Sequence, residues 1–332
     1  MKNQSFIMIM RYLFTLIVFS AASISAERRV NWFFPKGGVT QSNDGLNLTA
    51  WAAKYRGALT GVFPCCSCWE ALDDGKFVST GRCQGWTSTP QEMKELKELE
   101  LTIVPSGTVG VNWLLNKKWT LPGSMESLLS LVESERWDGI GIDNENDPAN
   151  DNWDDRIPQM YELLLESMGA VLDRNGKSLS VDVNSRWKHN IGGPEYIPEY
   201  GSKAPAAIFM DMAEYHYEPN KPNDNMKILH DYQELLLPSQ AGIGVGLVDM
   251  PGHENASCSG WPQCTDFDNP ACMCIDYGWN EESFRKFIED AAESGVQEID
   301  VWRNDITPPP GTIAFIPPWW IEILTDFLTY AL

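Results

Sequence analysis

Apolar runs of strand length recur along the chain at fairly regular intervals: Arg29 to Phe34, Ala58 to Phe63, Leu101 to Pro105, Gly139 to Asp143, Ser178 to Asn184, Ala206 to Tyr215, Ala241 to Asp249 and Glu298 to Arg303. Between them lie stretches with the apolar period of a helix, at Leu48 to Tyr55, Pro90 to Leu99, Met125 to Ser134, Ile157 to Leu172, Asn225 to Leu236 and Glu281 to Glu293, with a last one at Pro318 to Tyr330. Ile191 to Tyr200 is rich in Gly and Pro and carries little helical pattern. Strands that alternate with helices run parallel, and eight such units are the number that closes a (β/α)8 barrel. The expected fold class is therefore α/β, as a single (β/α)8 TIM barrel. The alternative, an open doubly wound sheet, would carry a Gly-rich phosphate loop after its first strand, and PKGGVTQS at Pro35 to Ser42 is not one. Gly242, Gly244 and Gly246 read as close packing inside a barrel strand.

The N-terminus has a different pattern. Lys2 and Arg11 precede an apolar run from Tyr12 to about Ala22, followed by the small residues Ser23, Ser25 and Ala26, which is the layout of a secretory signal peptide. The expected organisation is a signal peptide over 1–26 and one catalytic barrel over 27–332. No later segment offers the roughly 20 apolar residues a membrane span requires. Formal charge is −21, and −23 once Lys2 and Arg11 leave with the signal. That balance excludes nucleic acid and anionic membranes as partners and leaves a neutral or cationic ligand. The expected product is an extracellular monomer.

Eight cysteines fall into two groups, Cys65, Cys66, Cys68 and Cys83, then Cys258, Cys264, Cys272 and Cys274. An even count in an exported chain points to disulfides, paired here within each group, and CxxC pairs at zinc spacing are missing. The groups follow the second and seventh strands, so disulfides there would stiffen long loops on the face where barrel enzymes keep their sites. Sequons at Asn47 and Asn255 fit the same compartment. No metal and no cofactor are expected.

The chemistry concentrates in DGIGIDNE, Asp138 to Glu145. Residues two apart on a strand point the same way, so Asp143 and Glu145 leave the carboxyl end of the fourth strand facing one site, with Gly139 and Gly141 below them. Ile140 and Ile142 then face the helices. A solvated acidic loop is the bland reading of Asp143 to Asp155. A calcium loop is a further one, although Pro148 stands where such a loop needs its turn glycine.

DGIGIDNE resembles the fourth-strand signature DGxDxDxE of glycoside hydrolase family 18, the chitinase-like enzymes, with Asp138, Gly139, Asp143 and Glu145 matching and Gly141 replacing the middle aspartate. A neighbouring acid could substitute, since SLSVDVN places Ser180, Asp182 and Asn184 inward beside the fourth strand. The sixth strand, IFMDMAEYHY, is similar to the family's Met-x-Tyr-Asp segment, with Asp211, Glu214 and Tyr215 as candidates in an open register. The eighth, IDVWRND, is similar to the strand whose Trp floors the sugar site, here Trp302 on the face of Asn304.

The resemblance implies that Glu145 is the general acid and that the nucleophile is the substrate's own 2-acetamido oxygen, oriented by Asp143. Tyr215 would hydrogen bond the acetamide, and Asp211 would support it. A negative Asp143 and a partly dry pocket would keep Glu145 protonated. The implied partner is a polysaccharide or glycan containing N-acetylglucosamine: chitin, chitooligosaccharide or an N-glycan core. The chain has 14 Trp. Those following strands, Trp69, Trp86, Trp113, Trp153, Trp187 and Trp261, read as packing more readily than as sugar subsites.

Three rival readings remain. The pair Asn144 and Glu145 fits a two-carboxylate retaining glycosidase with Glu145 as acid/base, but that scheme needs a glutamate ending the seventh strand, which ends in Asp249. Endoglycosidases of family 85 carry Asn two residues before the acid, where this chain has Asp143. A secreted chitin- or glycan-binding lectin on the same barrel is the third. Scattered His189, His216, His230 and His253, without HExxH or a nucleophile elbow, give zinc hydrolysis and serine triads little support.

Overall fold

The computed structural model describes residues 28–34, 48–64, 68–80, 90–144, 154–185, 191–212, 222–247, 279–303 and 318–329. The strands are β1 (Arg29–Phe34), β2 (Gly61–Pro64), β3 (Trp69–Ala71), β4 (Phe77–Ser79), β5 (Thr102–Ile103), β6 (Ser106–Thr108), β7 (Gly139–Ile142), β8 (Ser178–Val183), β9 (Ile208–Asp211), β10 (Ala241–Leu247) and β11 (Glu298–Arg303). The helices are α1 (Leu48–Tyr55), α2 (Pro90–Glu98), α3 (Val111–Leu115), α4 (Ser124–Ser134), α5 (Ile157–Arg174), α6 (Ile197–Lys203), α7 (Pro222–Gln233), α8 (Glu281–Glu293) and α9 (Pro318–Thr329).

The hydrogen-bonded order is β4-β3-β6-β7-β8-β9-β10-β11-β1-β2-β5, parallel throughout except for the β3–β4 pair. Its two ends meet, because β5 and β6 are halves of one strand separated only by Val104 and Pro105. Along that strand the amides of Asp138, Gly141 and Asp143 donate to the carbonyls of Ile103, Pro105 and Gly107 at 2.9, 2.9 and 3.0 Å. The parallel strands therefore close into a ring of eight, the (β/α)8 arrangement expected from the periodicity.

Side-chain parity divides the ring into two layers. Val30, Trp32, Val62, Ile103, Ile140, Ile142, Leu179, Val181, Phe209, Ile243, Val245, Ile299 and Val301 join one apolar cluster with helix residues such as Leu128, Leu164, Phe287 and Leu324. The alternate positions face the barrel interior. There Phe33, Phe63, Val104 and Met210 form a separate small cluster, with the Phe33 and Phe63 rings edge to face at 5.2 Å. Beside them the interior holds Ile208, in step with Ser180, and the polar residues Asn31, Ser106, Ser180, Asp182 and Asp300.

Differences from the sequence reading are local. The third strand is divided at Val104 and Pro105. Ile197–Lys203 is helical where little pattern was evident. The sixth strand, expected over Ala206 to Tyr215, spans Ile208–Asp211 within the described residues. A β3–β4 hairpin, absent from the sequence reading, sits against the upper half of the third strand through parallel pairing of Trp69 with Gly107. Its tight approach requires glycine at 107, where a Cβ would lie 2.5 Å from the Trp69 ring.

The signal segment, both sequon asparagines and every cysteine but Cys68 lie outside the described residues. Among the described residues no helix is long and apolar enough to cross a membrane, and no group of three or more His, Cys, Asp or Glu is placed to hold a metal.

Candidate active site

Asp138, which opens the acidic signature, works at the base of β7. Its carboxylate accepts the Ile103 amide at 2.8 Å and pairs with Lys97 of α2. It thus ties helix, third strand and fourth strand together below the site.

The carboxyl end of β7 is tied to β6 and to the residue that follows it. The backbone of Asp143 donates to Gly107 at 3.0 Å. The next side chain, buried Asn144, accepts from the Val109 amide at 3.0 Å and donates to the Val109 carbonyl at 3.3 Å. This two-bond clamp uses the outward position, so Asp143, partly buried, is left on the inward face. Sequence reading did not single out Asn144 for this role; its signal was only its alternation with the acids.

Beside β7, Gly141 is in register with Ser106 on one side and Ser180 on the other. One inward step higher, the same register sets Asp143 beside Asp182, since Ile142 pairs with Val181. Asp182 is 5% and Asn184 8% exposed. The Asn184 amide donates to the Gly192 carbonyl at 3.0 Å, fixing the exit from β8. The Tyr161 hydroxyl of α5 is held well above its ordinary pKa, first by burial, then by the negative charges of Asp182 and Asp143. It is the strand register that sets the two carboxylates side by side.

The structure resolves the register of the sixth strand. Met210 faces the barrel, while Asp211 is in step with Val183 and Ile243. The Asp211 carboxylate accepts from the Ser185 amide at 2.8 Å and from the Ser185 hydroxyl, tying the end of β9 to the exit of β8. Position 302 pairs with Gly246 of β10, and the Trp302 side chain lies outside the described residues. Glu145, Glu214 and Tyr215 lie outside them as well.

Two of the candidate tryptophans prove to be packing groups. Trp69 is fully buried with its indole donating to Pro105 at 3.2 Å, and Trp113 is buried with its indole donating to Leu72 at 2.8 Å. With Phe77 and Trp119 they form a ring ladder, centroids 5.5 to 5.9 Å apart, that fills the space under the hairpin.

No family model and no curated protein matches the chain by sequence. Solved structures do match in fold. A Group IV chitinase from Ostrinia furnacalis superposes with a TM-score of 0.61 at 13% identity, covering 91% of this chain and 100% of that one. The GH18 chitinase from the chitin utilization locus of Flavobacterium johnsoniae gives 0.55 at 14% identity, covering 92% and 95%. The spore cortex-lytic enzyme of Bacillus megaterium gives 0.58 at 15% identity, covering 92% and 75%. The chain thus has the chitinase-like (β/α)8 fold of glycoside hydrolase family 18.

Proposed function

We propose that this protein is a secreted retaining glycoside hydrolase that cleaves β-linked N-acetylglucosaminides by substrate assistance. The observation that carries the reading is the placement of Asp143, pinned by Asn144 at the carboxyl end of the fourth strand, in a barrel that matches a chitinase over 91% of the chain. This is the end of a barrel at which catalytic side chains are found.

In this reading Glu145, two residues after Asp143 in the sequence, gives its proton to the departing glycosidic oxygen. The substrate's acetamido oxygen attacks the anomeric carbon from the other face and forms a cyclic intermediate, which water opens with Glu145 now acting as base. Asp143 accepts from the acetamide N–H, which turns the oxygen toward the anomeric carbon and stabilises the charge that develops on the ring. Export through the 1–26 segment, disulfides in the loops after the second and seventh barrel strands, and action as a monomer belong to the same proposal.

Release of reporter from chitobiose and chitotriose aryl glycosides tests it. Wild type is expected to be active, and Glu145→Gln, with folding intact, to lose about 10²–10⁴-fold in kcat. The Ostrinia furnacalis enzyme is also known in complex with allosamidin. Inhibition by allosamidin and a rise in Tm on its addition are therefore the matching binding test. Gly141 favours one second reading, a lectin on the same barrel. Wild type that binds chitin without releasing product, with Glu145→Gln binding equally, would establish it.

A further inference from the structure

The fourth strand offers no acid below Asp143, yet the interior around Gly141 is built for polar groups. The hydroxyls of Ser106 and Ser180, 1% and 3% exposed, flank Gly141 in register, and neither has a hydrogen-bond partner among the described residues. A Cβ at 141 would meet Ser106 Cβ at 3.4 Å, Ser106 Cα at 3.5 Å and the Pro105 carbonyl at 3.9 Å, which is close to ordinary contact. The cell beneath Asp143 therefore takes a Cβ at ordinary contact distance and sets two hydroxyls beside it. What the strand lacks in line, its neighbour supplies from the side. Asp182 occupies the inward position level with Asp143, and adjacent strands stand about 4.8 Å apart.

We propose that Asp182 is a positioning residue of this site: its carboxylate, displaced one strand sideways, does for Asp143 what an acid at position 141 would do, and the Ser106–Gly141–Ser180 cell lets that acid be moved back. The inference deepens the glycosidase reading by naming which side chain sets the charge and orientation of Asp143. Tyr161, whose hydroxyl responds to Asp182 and Asp143 together, supports their proximity. A carboxylate this close alters the charging of its neighbour, because two like charges within about 4–6 Å disfavour one another.

The test uses the whole protein with wild type, Asp182→Asn, Gly141→Asp and the double variant, each checked for folding by circular dichroism and Tm. The first readout needs no substrate. The side-chain carboxyl of Asp143 is followed by carbon NMR through a pH titration, assigned with Asp143→Asn. Asp182→Asn is expected to move its midpoint by at least one pH unit, and the double variant to bring it most of the way back. The second readout is kinetic. Asp182→Asn is expected to lower kcat on chitotriose aryl glycoside at least tenfold with KM changed less than threefold, and Gly141→Asp in that background to restore kcat to within threefold of wild type. An unmoved Asp143 midpoint in folded Asp182→Asn overturns the inference whatever the activity. A moved midpoint in a wild type that cleaves nothing upholds the pairing and overturns the glycosidase reading instead. A loss of kcat that Gly141→Asp leaves uncorrected also overturns the transfer of function.

Discussion

Asn144 is the residue on which the geometry of the acids depends. Its amide satisfies both backbone groups of Val109, and the position is 5% exposed, so no solvent takes over when it is removed. Leaving a buried backbone donor and acceptor unmatched costs about 1–3 kcal/mol. Asn144→Ala should lower the unfolding free energy measured by urea denaturation by an amount in that range, through a lower midpoint at an unchanged m-value. It should lower kcat more than it raises KM, because the strand end that presents Asp143 loses its tether while the remaining sugar contacts persist. Asn144→Asp should be as damaging, since a carboxylate offers the Val109 amide an acceptor but gives the Val109 carbonyl no donor. Equal stability of either variant would show that the clamp is dispensable.

At the scale of elements, the barrel strands were readable because their outward residues are apolar and recur with the helices that cover them. The β3–β4 hairpin was not, because its strands are three residues long and carry no period of their own. Its one local signal is Asp74-Gly75, a pair favoured in tight turns. Gly75 has φ +88°, and a Cβ there would stand 2.6 Å from the Lys118 carbonyl. Gly75→Ala should therefore destabilise through both backbone strain and a clash, by more than about 1 kcal/mol. Because the hairpin seats Trp69 and Phe77 against Trp113, the same variant should change the tryptophan emission before global unfolding. A Tm and emission matching wild type would mean that the turn adapts freely.

For the molecule as a whole, alternation told which face of each strand looks inward, and so was enough to bring Asp143 and Asp182 into the barrel. It was silent on what the far end of the barrel holds, since that depends on contacts between the first and last strands. There Asn31 Nδ2 donates to Asp300 Oδ1 at 2.8 Å, and Arg29 pairs with Glu298 at 2.8 Å. Asp300 is 0% and Glu298 2% exposed, so two carboxyls on one face of β11 share the nearby Arg29. Burial, then the charge of Glu298, holds the Asp300 carboxyl well above the aspartate range against the opposing effects of Asn31 and Arg29. Glu298 is raised too, by burial outweighing Arg29. The folded barrel thus retains protons that the unfolded chain releases above about pH 4. Their contribution to stability is complete below that value and is lost as pH rises through the elevated folded-state values. Asp300→Asn keeps an acceptor for Asn31 and removes the ionisation. Its Tm, followed from pH 4 upward, should decline less steeply than that of wild type, with the difference between the two growing as pH rises. Parallel curves would show that the buried pair releases its proton without cost and that alkaline sensitivity, where present, arises elsewhere in this highly acidic chain.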